Sequence, residues 1–152
     1  MTRKMLVIAL AVTVFGALGS AFADNIPCNH HILNGSYGFT IEGIKLAGNG
    51  PVGTQKGVAM AKFDGEGNFT QTDTVVIDGI VVADFTHTPA SGSYTVNSDC
   101  TGNFTIIFTD GRPPVTTNFV VVNNGKEIDT VVTSVAGNQG IIETSSVGKK
   151  VR

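Results

Sequence analysis

Short runs of β-branched and aromatic residues, separated by clusters of Gly, Asn, Asp and Pro, repeat along most of the chain. This pattern is typical of β-strands joined by tight turns. In Ser36–Glu42, the apolar residues Tyr37, Phe39 and Ile41 alternate with small or polar residues, so an extended chain there has one apolar face. Beyond the N-terminal segment, no long stretch has the 3.6-residue apolar spacing of a helix, so no core helix is predicted.

Nine segments of this kind are predicted to be strands. They are Ser36–Glu42, Gly57–Phe63, Phe69–Ile77, Ile80–Thr86, Gly92–Asn97, Asn103–Thr109, Thr116–Val122, Glu127–Thr133 and Gly140–Thr144. Because the connections are short, successive strands should pair antiparallel, and closure of the sheet would remove its two exposed edges. The sequence therefore favours an all-β fold, an antiparallel up-and-down β-barrel of about 8–9 strands. A two-sheet β-sandwich remains the alternative, because the sequence does not indicate whether the first and last strands meet.

The turns carry more specific signals than the strands. Asn123–Lys126 contains Asn-Gly between two apolar runs, which predicts a hairpin. Asp64–Thr70 and Asp99–Thr105 both read Asp-x-x-Gly-Asn-Phe-Thr, in which the Asp would accept turn hydrogen bonds and the Gly would supply a left-handed residue. The longest break, Gly43–Gln55, is interpreted as a mobile loop at one barrel mouth, with Gly48–Gly53 as its core.

The N-terminus has the three parts of a secretory signal peptide. Basic residues at Arg3 and Lys4 precede an apolar run to Leu18, and a small-residue segment ends at Ala23. The apolar run is shorter than the roughly 20 residues that a membrane-spanning helix needs. We therefore expect residues 1–23 to be removed and residues 24–152 to form a single β-barrel domain that is secreted or periplasmic.

The mature chain would hold two cysteines, Cys28 and Cys100, and an exported protein can keep them oxidised. We predict a disulfide between them, which in the loop-entropy model stabilises the fold by about 4 kcal/mol. Removing the signal peptide leaves eight basic and twelve acidic side chains, with no basic stripe. A nucleic-acid partner is therefore not expected.

Two motifs with a familiar spacing lack the context that their chemistry requires. Gly48–Gly53 matches Gly-x-Gly-x-x-Gly, but a strand follows it instead of the helix that a dinucleotide site needs. Asp64, Glu66 and Asn68 resemble the opening of a calcium loop, but Val75 stands where an EF-hand has its bidentate Glu. An ordinary polar turn is the preferred interpretation of the second motif.

The histidines do not form a metal-binding pattern. His30 and His31 are adjacent, so their side chains diverge in an extended chain, and His87 is distant in sequence. Motifs for nucleophilic catalysis are also missing from the sequence. We therefore predict no catalytic residues, no metal site and no cofactor.

Acidic residues within predicted strands are the remaining candidates for chemistry. They are Glu42, Asp73, Asp129 and Glu143. Asp73 shares a face with Phe69, Val75 and Ile77, and an inward carboxyl would have an altered pKa. Exposure on the polar face or at the rim is the preferred interpretation for all four.

Aromatic residues supply most of the bulk available for a barrel interior. A small barrel is either filled by such side chains or lined by them around a small apolar ligand. The abundance of Val, Thr and Gly relative to aromatics leaves room for a cavity. With no Trp and two Tyr, the chain lacks the aromatic girdles of outer-membrane barrels, so it is not expected to be membrane-embedded.

Three segments, Phe63–Asn68, Gly92–Gly102 and Val121–Ile128, resemble a family of uncharacterised secreted bacterial proteins. The run Tyr-Thr-Val-Asn-x-Asp-Cys-Thr-Gly within Gly92–Gly102 is the specific part of the likeness. The resemblance implies a compact barrel similar in outline to allene oxide cyclase-like and lipocalin-like calycin barrels. It implies no catalytic or ligand-binding residue.

The leading hypothesis is an exported, non-enzymatic β-barrel that binds a small apolar or amphipathic molecule. One alternative is a structural or interaction protein of the cell envelope with a solid barrel. Another is a cyclase or isomerase, which rests on fold analogy and on the acids at Asp73 and Asp129. The sequence indicates no oligomeric state.

Overall fold

The computed structural model describes residues 27–85, 89–138 and 140–151. These residues form nine strands and three short 3-10 turns, at His30–Leu33, Asn123–Gly125 and Ala136–Asn138. The predicted signal peptide and His87 lie outside the described residues. The strands are β1 (Gly35–Gly48), β2 (Gly53–Phe63), β3 (Asn68–Ile77), β4 (Ile80–Ala83), β5 (Pro89–Val96), β6 (Thr101–Phe108), β7 (Val115–Val122), β8 (Glu127–Val135) and β9 (Gly140–Lys150).

Eight of the strands close into an antiparallel barrel. Apart from β4 and β5, strands that are consecutive in the chain pair with each other, and β1 also pairs with β9, which completes the ring. The strand β3 pairs with β2 on one side and with β5 on the other, while β4 continues the line of β5 along β3. The predicted all-β barrel is confirmed, and the first and last strands meet.

The interval Gly43–Gln55 is mostly strand, so its interpretation as a loop was wrong. β1 runs to Gly48 and β2 begins at Gly53, which leaves only residues 49–52 between them. The inward positions of this part of β1 hold Gly43 and Lys45, while the outward positions are apolar. The sequence pattern is therefore inverted, and this inversion concealed the strand.

Two neighbouring predictions need smaller corrections. The strand expected at Ile80–Thr86 ends at Ala83, and β9 continues well past Thr144 to Lys150. The Asn-Gly turn joins β7 to β8 as predicted, with Asn123, Asn124 and Gly125 all at positive φ.

The two turns of identical sequence pattern have different structures. The Asp64 carboxylate accepts hydrogen bonds from the backbone of Glu66 and from both the backbone and side chain of Asn68, at 2.7–2.9 Å. Gly67 there has a φ of 108°, as expected. In the second turn, Cys100 is the left-handed residue, with a φ of 67°, and Gly102 lies inside β6. The two glycines of the common pattern therefore have different roles, because Gly67 adopts a left-handed backbone whereas Gly102 lies within a strand.

One end of the barrel is filled by aromatic rings. Phe63 contacts Tyr37 and Tyr94 edge to face and stacks on Phe69, with ring centroids 5.1–5.5 Å apart. The 3-10 turn His30–Leu33 covers this end, with Ile32 and Leu33 buried. We call this end of the barrel the closed end, and it contains the larger of two apolar clusters in the described residues.

Three rings of the closed half lie over glycines of neighbouring strands. The cross-strand pairs are Phe39 with Gly148, Phe69 with Gly92, and Phe119 with Gly102. A Cβ at any of these glycines would approach a ring atom to within 2.3–2.6 Å. Glycine therefore lets each ring lie flat on the barrel wall, as aromatic residues do over glycines in other sheets.

The cysteines join the N-terminal segment to the closed end. The Cα atoms of Cys28 and Cys100 are 5.1 Å apart, within the range of a disulfide, and the structure pairs the two sulfur atoms. Both residues pack against the aromatic cluster. No helix within the described ranges is long and apolar enough to cross a membrane.

Candidate functional site

A cavity of about 480 Å³ occupies the half of the barrel opposite the closed end. The loop between β1 and β2 and the loop between β6 and β7 border its mouth, where Asn49, Pro51, Gly111 and Pro113 contribute to the lining. Phe39 and Phe104 line it on the side of the aromatic cluster. The predicted position of Gly48–Gly53 at a barrel mouth is therefore confirmed.

One wall of the cavity carries a very small residue, because Ala59 on β2 is buried and lines it. On the same two strands, Gly43 of β1 and Gly57 of β2 hold inward positions close to the backbone of neighbouring strands. A Cβ at Gly43 would lie 2.2 Å from the carbonyl oxygen of Glu143, and one at Gly57 would lie 2.7 Å from that of Thr74. Close approach of the neighbouring strands therefore requires glycine at both positions.

A ring of polar side chains crosses the cavity at mid-depth, and we call it the polar belt. Its members are Gln71 and Asp73 on β3, Thr117 on β7, Thr130 on β8, and Thr144 and Ser146 on β9. Along each of these strands, the inward residues change from the core of the closed half, through the belt, to Val or Ile near the mouth. The belt therefore divides an apolar floor from an apolar upper wall.

Asp73 of the belt forms a buried ion pair with Arg112. The Asp73 side chain is only 5% exposed, and its Oδ1 accepts a hydrogen bond from Arg112 Nη2 at 3.2 Å. Arg112 Nε also donates to Asp110 Oδ2 at 2.8 Å, and the guanidinium lies 3.8 Å from the centre of the Phe108 ring. Ionic contacts and ring stacking together fix Arg112 beside the cavity.

Three further hydroxyl groups of the belt differ in whether they have a hydrogen-bond partner. Thr130 Oγ1 and Ser146 Oγ are hydrogen-bonded to each other at 2.6 Å. The Thr144 hydroxyl lies against Gly43, is buried and has no hydrogen-bond partner. A buried polar atom without a partner costs free energy, which a partner brought within reach would recover.

The four acids singled out in the sequence lie in different positions in the structure. Asp73 points inward, so the preference for an exposed position was wrong for this residue. Its alternating neighbours Phe69, Val75 and Ile77 are also buried, which shows that the shared face decides its direction. Asp129 is half-buried at an outward position between buried Ile128 and Thr130.

The other two acids lie on the outside of the barrel. Glu143 is exposed, and exposed Glu42 forms an ion pair with Lys56 at 2.7 Å. The structure therefore does not bring the four candidate acids together, and only Asp73 belongs to the cavity.

The histidines of the described residues lie at the closed end. The His30 ring packs edge to face on Tyr94, and His31 is exposed.

The turn that resembles the opening of a calcium loop has its carboxylate already in use. Asp64 accepts the hydrogen bonds of its own turn with its carboxylate oxygens, and these bonds hold its pKa at about 2. No group of three potential metal ligands occurs within the described part of the chain.

Sequence reasoning did not identify Arg112, Gln71 or the belt hydroxyls. Arg112 lies in a polar turn, and its partner Asp73 is 39 positions away in the chain. A usable signal was present for Gln71, because it shares the inward face of β3 with Phe69 and Asp73. Polar residues flanked at two-residue spacing by apolar ones can mark such a belt.

Comparison with known proteins does not identify a family for this chain. No protein-family model matches the chain, and no curated protein matches it. Among solved structures, the chain is similar to an S-type phycobiliprotein lyase from Guillardia theta. The TM-score is 0.48 and the sequence identity is 9%, with 81% of this chain and 90% of that chain covered. The barrel assignment comes from the strand pairing itself.

Proposed function

We propose that this protein is an exported binding protein that holds a small apolar or amphipathic molecule inside its barrel. The observation that carries the proposal is the cavity, which is open at one end and underpacked although the opposite half is filled by aromatic rings. Its size lies within the usual range for small-molecule pockets, which are mostly apolar with a few placed polar groups. Export rests on the predicted signal peptide and on the cysteine pair.

The two other hypotheses have less support. A solid structural barrel is disfavoured by the cavity itself. A cyclase or isomerase would retain one inward acid, Asp73, which Arg112 already holds in an ion pair. Since Asp129 faces outward, the pair of inward acids that motivated an enzyme is not present.

Binding can be measured with the uncharged fluorophore N-phenyl-naphthylamine, which brightens in apolar surroundings. We expect saturable binding to the wild-type mature protein and strongly reduced binding to Ala59→Phe, because Ala59 is buried and lines the cavity. Ala47→Phe is the matched control, since Ala47 is exposed on β1. Equal binding by all three folded proteins, or by none, would contradict the proposal.

The export part of the proposal has a separate test. The N-terminal residue of protein recovered from outside the cytoplasm of a bacterial host should be Asp24. Retention of the full-length chain within the cytoplasm would contradict export and would leave the binding result unaffected.

A further inference from the structure

The charges of the described residues that line the cavity sum to zero before any ligand enters. Among the described lining residues, the ionisable ones are Lys45, Asp73, Asp110 and Arg112. Arg112 contacts both carboxylates, so these three groups together carry one excess negative charge. Lys45 is at the mouth, where its ammonium donates to the Asn49 carbonyl. An anionic group at the belt would therefore meet a buried carboxylate and, among the described residues, no free cation.

A cationic group at the belt is also disfavoured. The Asp73 carboxylate is already paired with Arg112, and a second cation would lose its hydration without gaining an unpaired partner. The Gln71 amide and the belt hydroxyls can each donate and accept hydrogen bonds. A neutral polar group of a ligand would therefore find both donors and acceptors at the belt without bringing a charge into it. Gln71, Thr117 and Thr144 are each at least nine-tenths buried.

The apolar wall lies between the belt and the mouth. Val75 and Ile77 follow Asp73 on β3, Val115 precedes Thr117 on β7, and Ile142 precedes Thr144 on β9. A ligand that places a polar group at the belt would therefore cover this wall with an apolar chain. The Thr144 hydroxyl, which has no hydrogen-bond partner, gives a second reason to place a polar group there. Rotation of the Thr144 side chain would let this hydroxyl bond to the polar group of the ligand.

Resting on the proposed function, we infer that the cavity takes an amphipathic molecule with an uncharged polar head, such as an alcohol or a primary amide. The head lies at the polar belt and the apolar chain extends toward the mouth. Carboxylates and ammonium ions of the same chain length are rejected. The belt residues act as specificity determinants, while the cavity walls give general affinity for apolar molecules.

The test measures displacement of N-phenyl-naphthylamine at neutral pH by four ligands of one chain length. Decanol and decanamide should compete at concentrations about tenfold or more below those of decanoate and decylammonium, which corresponds to 1.4 kcal/mol or more. Asp73→Asn removes the excess negative charge. It should therefore reduce the difference between the concentrations at which decanoate and decanamide displace the fluorophore. Circular dichroism and thermal melts show whether each variant is folded.

Two variants that keep the charges unchanged make the test independent of Asp73. Gln71→Leu and Thr117→Val should each weaken decanamide binding about two- to tenfold, the value of one hydrogen bond, and leave affinity for the apolar fluorophore unchanged. Thr40→Val is the matched control for Thr117→Val, because Thr40 is exposed on the outer wall.

The outcomes separate this inference from the proposed function. If the fluorophore binds in the cavity but charged ligands compete as well as neutral ones, the inference is wrong and the binding function stands. If belt variants bind decanamide as tightly as Thr40→Val does, the inference is also wrong. If the fluorophore and all four ligands fail to bind the folded protein, the proposed function is wrong, and so is the inference that rests on it.

Discussion

Replacing Gly148 with Ala tests whether the closed half depends on its pairs of glycine and aromatic residues. A Cβ at Gly148 would lie 2.4, 2.5 and 2.8 Å from three atoms of the Phe39 ring, whereas ordinary contacts are 3.4–4 Å. The ring would therefore have to move by roughly 1 Å. Phe39 is only 6% exposed, so the ring can shift only against its packed neighbours or into the cavity that it lines.

The magnitude follows from two opposing terms. Overpacking a core by one methyl group costs about 1–3 kcal/mol. Replacing Gly with Ala reduces the freedom of the unfolded chain and returns about 0.4–1 kcal/mol. We expect Gly148→Ala to lower the free energy of unfolding by about 1–2 kcal/mol.

Gly38→Ala is the matched control on the same strand as Phe39. Its Cβ would lie 3.8 Å from Val151 Cγ2, which is an ordinary contact, so stability should be unchanged or slightly higher. Urea unfolding followed by circular dichroism gives both free energies. In a Phe39→Leu background, the cost of Gly148→Ala should fall to near zero, because the clashing ring is gone. The reasoning is refuted if Gly148→Ala is as stable as Gly38→Ala, or if its cost is the same with Leu at position 39.

Three further predictions concern the turns, the tyrosines and the cysteine pair. Hydrogen bonds from the Asn68 backbone and side chain and from the Glu66 amide lower the pKa of Asp64 from 3.8 to about 2. The stability that these bonds give is therefore present above about pH 4 and is lost as the pH falls toward 2. Asp64→Asn should flatten the fall in melting temperature across that window, and an unchanged slope would contradict this. Burial raises the pKa of Tyr37 from 10.0 to about 12 and also raises that of Tyr94, so the neutral rings stabilise the fold below pH 10 and this stability is lost as pH rises toward 12. Because the chain has two Tyr and no Trp, ultraviolet titration of Tyr94→Phe should show the Tyr37 ionisation well above pH 10. The native protein should have no free thiol, and Cys100→Ser should lower stability by about 4 kcal/mol in the loop-entropy model; equal urea midpoints with and without reductant would refute the pairing.

The parts of the fold that the sequence predicted are those where local chemistry and burial agree. Ser36–Glu42 alternates strictly because each inward position is apolar, and the Asn-Gly turn needs a backbone that only a few residues tolerate. The prediction failed over Gly43–Gly48 because the inward residues there are Gly43 and Lys45. Lys45 lines the cavity, so one of the residues that interrupts the apolar alternation belongs to the candidate site.

The candidate site itself was predictable only in part. Asp73 shares a face with apolar neighbours, which indicated an inward direction, although the preferred interpretation placed it outside. The partner Arg112 could not be found, because its position beside Asp73 depends on closure of the barrel across 39 residues. Single-sequence patterns report which face a residue occupies and carry no information about which strand lies opposite.

The division of the barrel into two halves suggests how stability and binding are separated. Aromatic rings seated on Gly92, Gly102 and Gly148 concentrate buried apolar area at the closed half, so the other half can remain underpacked without losing the fold. A cavity costs dispersion contacts in its lining, and the filled half offsets that cost. Substitutions beneath the rings should therefore change stability more than ligand affinity, while substitutions in the polar belt should change affinity more than stability. A belt variant such as Thr117→Val that unfolded as readily as Gly148→Ala would show that the two halves are not separable.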